Sequence, residues 1–187
     1  MKKVFLILIA SLIIILFLIL SILSTTGYET EKFNKIITNR IIEQNNKVSL
    51  ELEKIKFKFD LKNFSLYLET KNPRLEYQSL DVPIKIVKVY LDFTSLIKSK
   101  TKIDKIDVLF KEINIEELKK IVLKTKPSNL NSFIINKVKN GKLSTNLELY
   151  FDEKLNIKNY IARGEVKGMG AIISKKFILK NTSFNFF

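Results

Sequence analysis

The residue types that carry most enzyme chemistry are missing from this sequence. Its 187 residues include no His and no Cys. Without His, the chain lacks the commonest general base and the commonest metal ligand, and without Cys it lacks thiolate nucleophiles, disulfides and Zn–thiolate sites. Chemistry by Lys, Glu or Tyr stays open. The composition nevertheless predicts a protein that is not an enzyme and that uses no cofactor.

Three short clusters have the residue types of functional sites, and each has a structural explanation. The glycine-rich segment 164–170 lies among predicted strands with no helix after it, which favours a bulged or bent strand over a phosphate-binding loop. Asp104 and Asp107 are three residues apart on a predicted strand, so they point to opposite faces and do not share a metal. Glu116 and Glu117 open a predicted helix, where the helix dipole favours negative charge. We therefore predict no metal site.

The formal net charge of +14 needs an explanation, since basic chains bind nucleic acids, anionic lipids or acidic partners. Lysine supplies nearly all of it, while glycine, proline and arginine are scarce, a pattern typical of a drift toward A/T-rich codons. Lysines alternate with Phe57, Phe59, Tyr67 and Tyr90, as on the stacking surfaces that bind single-stranded nucleic acids. No known nucleic-acid motif is present, and we predict no nucleic-acid partner.

A membrane anchor is predicted at the N-terminus. Residues 4–23 contain no charge, no glycine and no proline, and as a helix they would span the roughly 30 Å hydrocarbon core of a bilayer. The alternative is a cleaved signal peptide, whose apolar region is shorter and ends in a small-x-small cleavage site; the sequence here favours an uncleaved anchor. The residues assigned to the anchor are Val4, Phe5, Leu6, Ile13, Ile14, Phe17, Leu20 and Leu23.

The flanking charges predict how the anchor is oriented. Lys2 and Lys3 precede it, and the first charged residues after it are Glu29 and Glu31. The positive-inside rule then places the N-terminus in the cytoplasm and the rest of the chain outside, which in a bacterium with two membranes is the periplasm. We expect a single-pass protein of the inner membrane, divided into an anchor region (1–27), an amphipathic helix (28–46) and a β-rich domain (47–187).

Beyond the anchor, the spacing of apolar residues changes from a helical to a strand period. Residues 30–45 have the apolar spacing of a helix, with Thr30 as its N-cap. Short helices are also predicted at 93–97 and 115–124, and a linker opens at Pro127. Alternating patterns predict strands at 48–52, 55–61, 64–68, 75–77, 84–91, 103–110, 143–151, 155–161 and 177–186. These strands, each with one polar and one apolar face, predict an antiparallel sheet.

The apolar side of this sheet is its most informative feature. In segments 55–59 and 147–151 one face is entirely apolar, and such a face must be covered by helices, by a second sheet or by a ligand with acyl chains. A closed core and an open groove leave the same sequence pattern, so both remain open at this point. The strand-like alternation also persists to Phe187, which suggests a fragment of a longer protein.

The order of these segments resembles the N-terminal region of AsmA-like proteins, the group that includes YhdP and TamB. The likeness rests on the Lys-Lys anchor, the short helix after it, the alternating strands within 48–68, and the helix at 115–118. In particular, Ser95-Leu96-Ile97 precedes a strand of the form Ile-x-x-Ile-x-Val at 103–108. The likeness covers most of the chain and consists of hydrophobic patterns.

The resemblance implies both a fold and a role. AsmA-like proteins are anchored in the inner membrane, and the apolar inside of their curved, open β-groove is thought to hold phospholipid acyl chains in transit to the outer membrane. It implies lipid transport or a part in outer-membrane assembly, with membrane phospholipids and other envelope proteins as partners. At 187 residues the chain is too short to bridge a periplasm, so an anchored scaffold module without lipid transport is the alternative. The residues predicted to line the groove are Ile55, Phe57, Phe59, Phe64, Leu66, Leu147, Leu149 and Phe151.

Overall fold

The computed structural model of the chain describes residues 2–31, 34–35, 38–39, 47–91, 103–152 and 156–187. The first element, α1 (Lys2–Thr25), is long and apolar enough to cross a membrane and contains all the residues assigned to the anchor. Its side chains are exposed along most of its length, and only Leu20, Leu23 and Ser24 near its C-terminal end are half-buried. A helix so apolar on all sides needs an apolar surrounding that its own protein does not supply.

Strands dominate the rest of the described chain, with two short helices, α2 (Ile115–Leu123) and α3 (Asn129–Lys137), before the longest ones. The strands are β1 (Tyr28–Thr30), β2 (Val48–Glu51), β3 (Ile55–Asp60), β4 (Ser65–Lys71), β5 (Arg74–Tyr77), β6 (Leu80–Val82), β7 (Ile84–Leu91), β8 (Ile103–Phe110), β9 (Ile113–Asn114), β10 (Val138–Phe151), β11 (Ile157–Ser174) and β12 (Phe177–Phe186). The predicted class, mainly β with an N-terminal apolar helix and a large antiparallel sheet, is confirmed.

The strands form two antiparallel sheets. The larger has nine strands in the order β1-β3-β4-β7-β8-β10-β11-β12, with β9 pairing to β10, and the smaller has the order β2-β5-β6. Short turns make the antiparallel neighbours possible. Between β3 and β4, the Asp60 carboxylate accepts hydrogen bonds from the backbone N–H groups of Lys62 and Asn63, at 2.9 and 3.2 Å, and so fixes the turn.

The helix predicted at 115–124 is present as α2, and its sequence explains its start. Asn114 accepts a hydrogen bond from the backbone N–H of Glu117, and the Glu117 side chain accepts one from the backbone N–H of Asn114, which completes a capping box. The two acidic residues of the first turn also suit the helix dipole. Glu116 and Glu117 therefore have a structural role here.

Several predicted elements differ from the structure. Thr30 is not an N-cap: it lies in β1, opposite Ile55. Of the predicted helix 30–45, residues 34, 35, 38 and 39 are helical, and most of the rest lies outside the described residues, as does the helix at 93–97. The linker predicted after Pro127 contains α3, which Ser128 caps by accepting a hydrogen bond from the backbone N–H of Asn131 at 3.1 Å. Asn and Ser are frequent in loops, so they concealed this helix.

The strand predicted at 155–161 is far longer than expected. β11 runs to Ser174 and includes the glycine-rich segment, which is the bulged strand that its sequence indicated: its pairing with β12 shifts between Val166 and Met169, and Gly168 has φ +59°. Gly164 is required for a different reason. A Cβ there would lie 2.2 Å from the Ser144 carbonyl oxygen and 2.6 Å from the Phe186 ring.

Replacing Gly164 by alanine should destabilise the pairing of β10 with β11 severely. Because the added methyl meets a backbone carbonyl, the strands must separate, and we expect a loss of about 2 kcal/mol or more. The matched control is Gly168→Ala on the same strand, whose methyl meets only Asn181 Oδ1 at 3.3 Å and whose positive φ costs about 1 kcal/mol. Thermal unfolding of the full chain in detergent measures both. Equal losses for the two variants would contradict the steric explanation.

Candidate functional site

A row of apolar side chains runs across the large sheet. The backbone register places Phe57, Leu68, Val89, Ile106 and Leu149 directly opposite one another on β3, β4, β7, β8 and β10. Cross-strand partners share a face of the sheet, so the five side chains form one continuous line, which we call the central row. At about 4.8 Å between strands it is about 19 Å long. All five side chains are half-buried.

Parallel rows extend this apolar face on both sides. Ile55, Val87, Val108 and Leu147 form a second row, with Thr70 between the first two. Phe59, Leu66 and Leu91 form a third. The structure thus brings together six of the residues predicted to line a groove: Ile55, Phe57, Phe59, Leu66, Leu147 and Leu149.

The other two predicted lining residues are placed differently. Phe64 is not in a strand: it lies in the β3–β4 turn with φ +48° and is 75% exposed, although its ring meets that of Phe59 edge-on with 6.0 Å between centroids. Phe151 ends β10 after a register irregularity, opposite Ile157. Among the six, Ile55 (2% exposed) and Phe59 are buried by the protein itself, so they belong to its core.

The predicted lining residues include none on β7 and β8, two strands that supply the middle of the face. Apolar residues occur at both even and odd positions of β7, namely Ile84 and Ile86 and then Val87, Val89 and Leu91, and the pairing with β8 is also shifted by a bulge between Ile84 and Ile86. Alternation alone therefore does not reveal which of them face inward. Only the register with β4 and β8 assigns Val87 and Val89 to the apolar face.

Two parts of the described chain partly cover the apolar face. At one place Leu50 and Leu52, in and just after β2, lie near Ile55, Val89 and Ile106, and leave a cavity of about 130 Å³. At the far end, α2 packs over β10, and α3 packs over β10 and β11. There a cavity of about 290 Å³ is walled by apolar side chains, among them Leu118, Phe133, Leu143, Val166 and Phe184. The face is thus neither a fully closed core nor a bare surface.

The face begins beside α1. Gly27, with φ +74°, ends the helix, and its N–H donates to the carbonyl of Ile22 at 2.9 Å. β1 follows at once and pairs with β3, with Tyr28 opposite Phe57. A Cβ at Gly27 would lie 2.8 Å from the Phe57 carbonyl oxygen, so the joint packs directly on β3. The apolar helix and the apolar face are therefore neighbours in space as well as in sequence.

The opposite side of the sheet, the polar face, carries charged pairs. The Glu69 carboxylate lies 3.0 Å from Lys58 Nζ and 3.9 Å from Lys88 Nζ, and Lys105 Nζ lies 3.1 Å from Asp107. Arg163 donates to Glu148 at 2.5 Å. Much of the lysine charge on this face is therefore balanced locally.

Aromatic residues divide between the two faces. Tyr67 and Tyr90 stack with ring centroids 5.2 Å apart on the polar face, where Lys88 lies over the first ring and Lys105 over the second. Phe57 lies on the opposite face. The aromatic residues that alternate with lysine in the sequence thus do not form one stacking platform. In the described residues no cluster of three or more His, Cys, Asp or Glu side chains is arranged to hold a metal.

The surroundings on the polar face shift the pKa values of two side chains there, Glu148 and Tyr90. The Tyr150 hydroxyl donates a hydrogen bond to Glu148 at 2.7 Å, which lowers the pKa of the Glu148 carboxyl. Burial acts in the opposite direction and raises this pKa, while the nearby charges of Lys105 and Arg163 lower it further. Burial raises the pKa of Tyr90, and Asp107 adds to the effect. These groups are held in their usual charge states at neutral pH, as expected for a structural network.

Replacing Glu148 by glutamine should destabilise the protein in a pH-dependent way. Since the folded pKa of Glu148 is lowered, its contribution is complete above the ordinary glutamate pKa of about 4.3 and is lost as the pH falls through the lower folded value. At pH 7 we expect a loss of about 1 kcal/mol, or about 2–4 °C in Tm. The difference from the wild type should shrink below about pH 4.

The control is Glu51→Gln, because the Glu51 side chain is 71% exposed whereas that of Glu148 is 12% exposed. An exposed ion pair such as Glu51–Arg74 contributes little, so this variant should melt with the wild type. A Tm difference for Glu148→Gln that stays constant from pH 7 to pH 3 would contradict the assigned ion network.

Comparisons with known proteins do not assign this chain to a family. No protein-family model, no curated protein and no solved structure matches it. The site must be interpreted from its own geometry: an apolar sheet face that starts at an apolar helix, backed by a charged and internally paired face.

Proposed function

We propose that this chain is a membrane-anchored, non-enzymatic lipid-binding protein whose apolar sheet face accepts phospholipid acyl chains. The observation that carries the proposal is the central row, an unbroken apolar line across five strands. Its length of about 19 Å is enough for one acyl chain, which occupies about half of the roughly 30 Å hydrocarbon core of a bilayer.

The joint between α1 and β1 supports this function. In the proposal α1 crosses the inner membrane with its N-terminus in the cytoplasm, as Lys2 and Lys3 suggest, and the sheet stands outside it in the periplasm. A lipid leaving the outer side of that bilayer would then meet Leu66 first and the central row next. Each CH₂ group kept out of water there is worth about 0.8 kcal/mol, so a short contact already holds a chain.

The role in the cell follows from the resemblance to AsmA-like proteins: transport of phospholipid toward the outer membrane, or support of outer-membrane assembly. The partners are then membrane phospholipids and other envelope proteins. The partial cover of the face also supports a carrier, because a fully closed core would admit no chain and a bare apolar sheet would aggregate.

The alternative is an anchored scaffold module, and β12 favours it. This strand lies at the edge of the large sheet and pairs with β11 on one side, and Phe177, Ile178 and Phe184 along it are exposed. Such an edge is a template for a strand from another envelope protein. In the scaffold alternative, a partner protein binds along the edge strand β12, and no ligand occupies the central row.

Photocrosslinking separates the two functions. The full chain is reconstituted in vesicles that contain a phospholipid with a diazirine in its acyl chain, and crosslinked peptides are mapped by mass spectrometry. We expect crosslinks on β4, β7, β8 and β10 in addition to α1. Leu149→Asn should reduce the crosslinks outside α1 roughly fivefold, since about 1 kcal/mol of apolar contact is lost.

The matched control is Leu109→Asn. Leu109 is also a half-buried leucine, but it lies on the polar face of β8, opposite Ile86 and Asn146. It should leave the crosslinks unchanged, with circular dichroism confirming that both variants fold. Crosslinks confined to α1 in the wild type would refute lipid binding by the sheet and favour the scaffold. An equal loss in both variants would show that the effect is not specific to the apolar face.

A further inference from the structure

The turn between β3 and β4, residues 61–64, exposes two large apolar side chains on the surface of the protein. Leu61 is 55% exposed and Phe64 is 75% exposed, with Lys62 and Asn63 exposed between them. The turn is held in shape by Asp60, whose carboxylate accepts hydrogen bonds from two backbone N–H groups and from the Asn63 amide at 2.8 Å. A fixed turn that presents leucine and phenylalanine to the outside is a candidate for contact with an apolar partner.

The position of the turn identifies that partner. β1 leaves the end of α1, and β3 runs antiparallel to it, so β3 returns toward α1. Phe57 lies opposite Tyr28, just past the helix, and Asp60 lies three residues or about 10 Å further in that returning direction. β3 contacts α1, and the half-buried Leu20, Leu23 and Ser24 are in the part of α1 nearest to this contact.

We propose that the β3–β4 turn is a second membrane contact of this protein, inserted into the interface of the bilayer that α1 crosses. Leu61 and Phe64 enter the region between head groups and acyl chains, and Lys62 reaches the lipid phosphates. The inference rests on the part of the proposed function that places α1 across a bilayer, and it does not require lipid transport.

The inserted turn would also connect the bilayer to the apolar face. The Phe64 ring meets the Phe59 ring edge-on, and Phe59 lies opposite Leu66 in the row nearest the turn. Apolar side chains thus continue from the exposed turn to the sheet. An acyl chain that follows them from the interface stays in contact with carbon throughout, which avoids the cost of crossing water.

Depth-dependent fluorescence quenching tests the insertion, and the chain is well suited to it because it contains no cysteine. Leu61→Cys and Phe64→Cys are labelled with a polarity-sensitive fluorophore in the full chain, reconstituted in vesicles of phosphatidylethanolamine and phosphatidylglycerol. Spin-labelled lipids quench from either a shallow or a deep position. Leu61 is the more informative site, since its replacement leaves the Phe59–Phe64 contact intact.

Two control sites calibrate the measurement. Ile13→Cys lies in the middle of α1 and reports whether the helix is in the bilayer. Leu123→Cys ends α2 and is 65% exposed, close to the exposure of Leu61. We expect Ile13 to be quenched by the deep label, and Leu61 and Phe64 to be quenched by the shallow label at least about twofold more than Leu123.

The other outcomes overturn the inference in distinguishable ways. If Ile13 is quenched while Leu61 and Phe64 behave like Leu123, the turn is not a membrane contact, and the anchor and the proposed lipid binding are unaffected. If Ile13 is not quenched either, α1 does not span the bilayer, and the inference falls together with the membrane anchoring in the proposed function.

Discussion

The antiparallel register from β3 to β10 is the constraint on which the rest of this structure depends. Because side chains alternate across a strand, one register gives the sheet two unlike faces. It aligns Phe57, Leu68 and Leu149 on one face, and on the other it brings Glu69 between Lys58 and Lys88. A slip of one residue on any of these strands would replace an apolar side chain of the central row by a charged residue or a tyrosine. Both the candidate site and the ion pairs therefore follow from the same backbone pairing.

A second constraint is the short connection between α1 and this sheet. Only Thr26 and Gly27 separate the helix from β1, and Gly27 packs against β3 so closely that no side chain would fit there. The sheet is thus attached to α1 by an ordered joint as well as by the covalent chain. In the proposed function, a ligand on the apolar face would therefore lie at a fixed distance from the membrane that α1 crosses, which a flexible linker would not provide.

Features that depend on short-range sequence patterns could be predicted, whereas features that depend on contacts between distant parts of the chain could not. The apolar N-terminal helix, helix α2 and most strands come from short-range patterns and were predicted. Six residues of the apolar face on β3, β4 and β10 were predicted because their alternation is regular, whereas Val87 and Val89 were not, since apolar residues occur at both even and odd positions of β7. Helix α3 was missed because it depends on packing against α2, β10 and β11, while its Asn and Ser residues favour loops. Phe64 was misplaced because Asp60 ends the strand with a side-chain capped turn.

The stability of the sheet comes from its buried core and from its polar face. Ten hydrophobic side chains are buried among the described residues, and the central row is half-buried. The polar face contributes further through stacked Tyr67 and Tyr90 and through the pairs at Glu69 and Glu148, with each cross-strand pair worth about 0.2–1 kcal/mol. The ion pairs and the stacked tyrosines lie on the face opposite the central row. In the proposed function, an acyl chain would therefore bind to the row and leave it without breaking any of them.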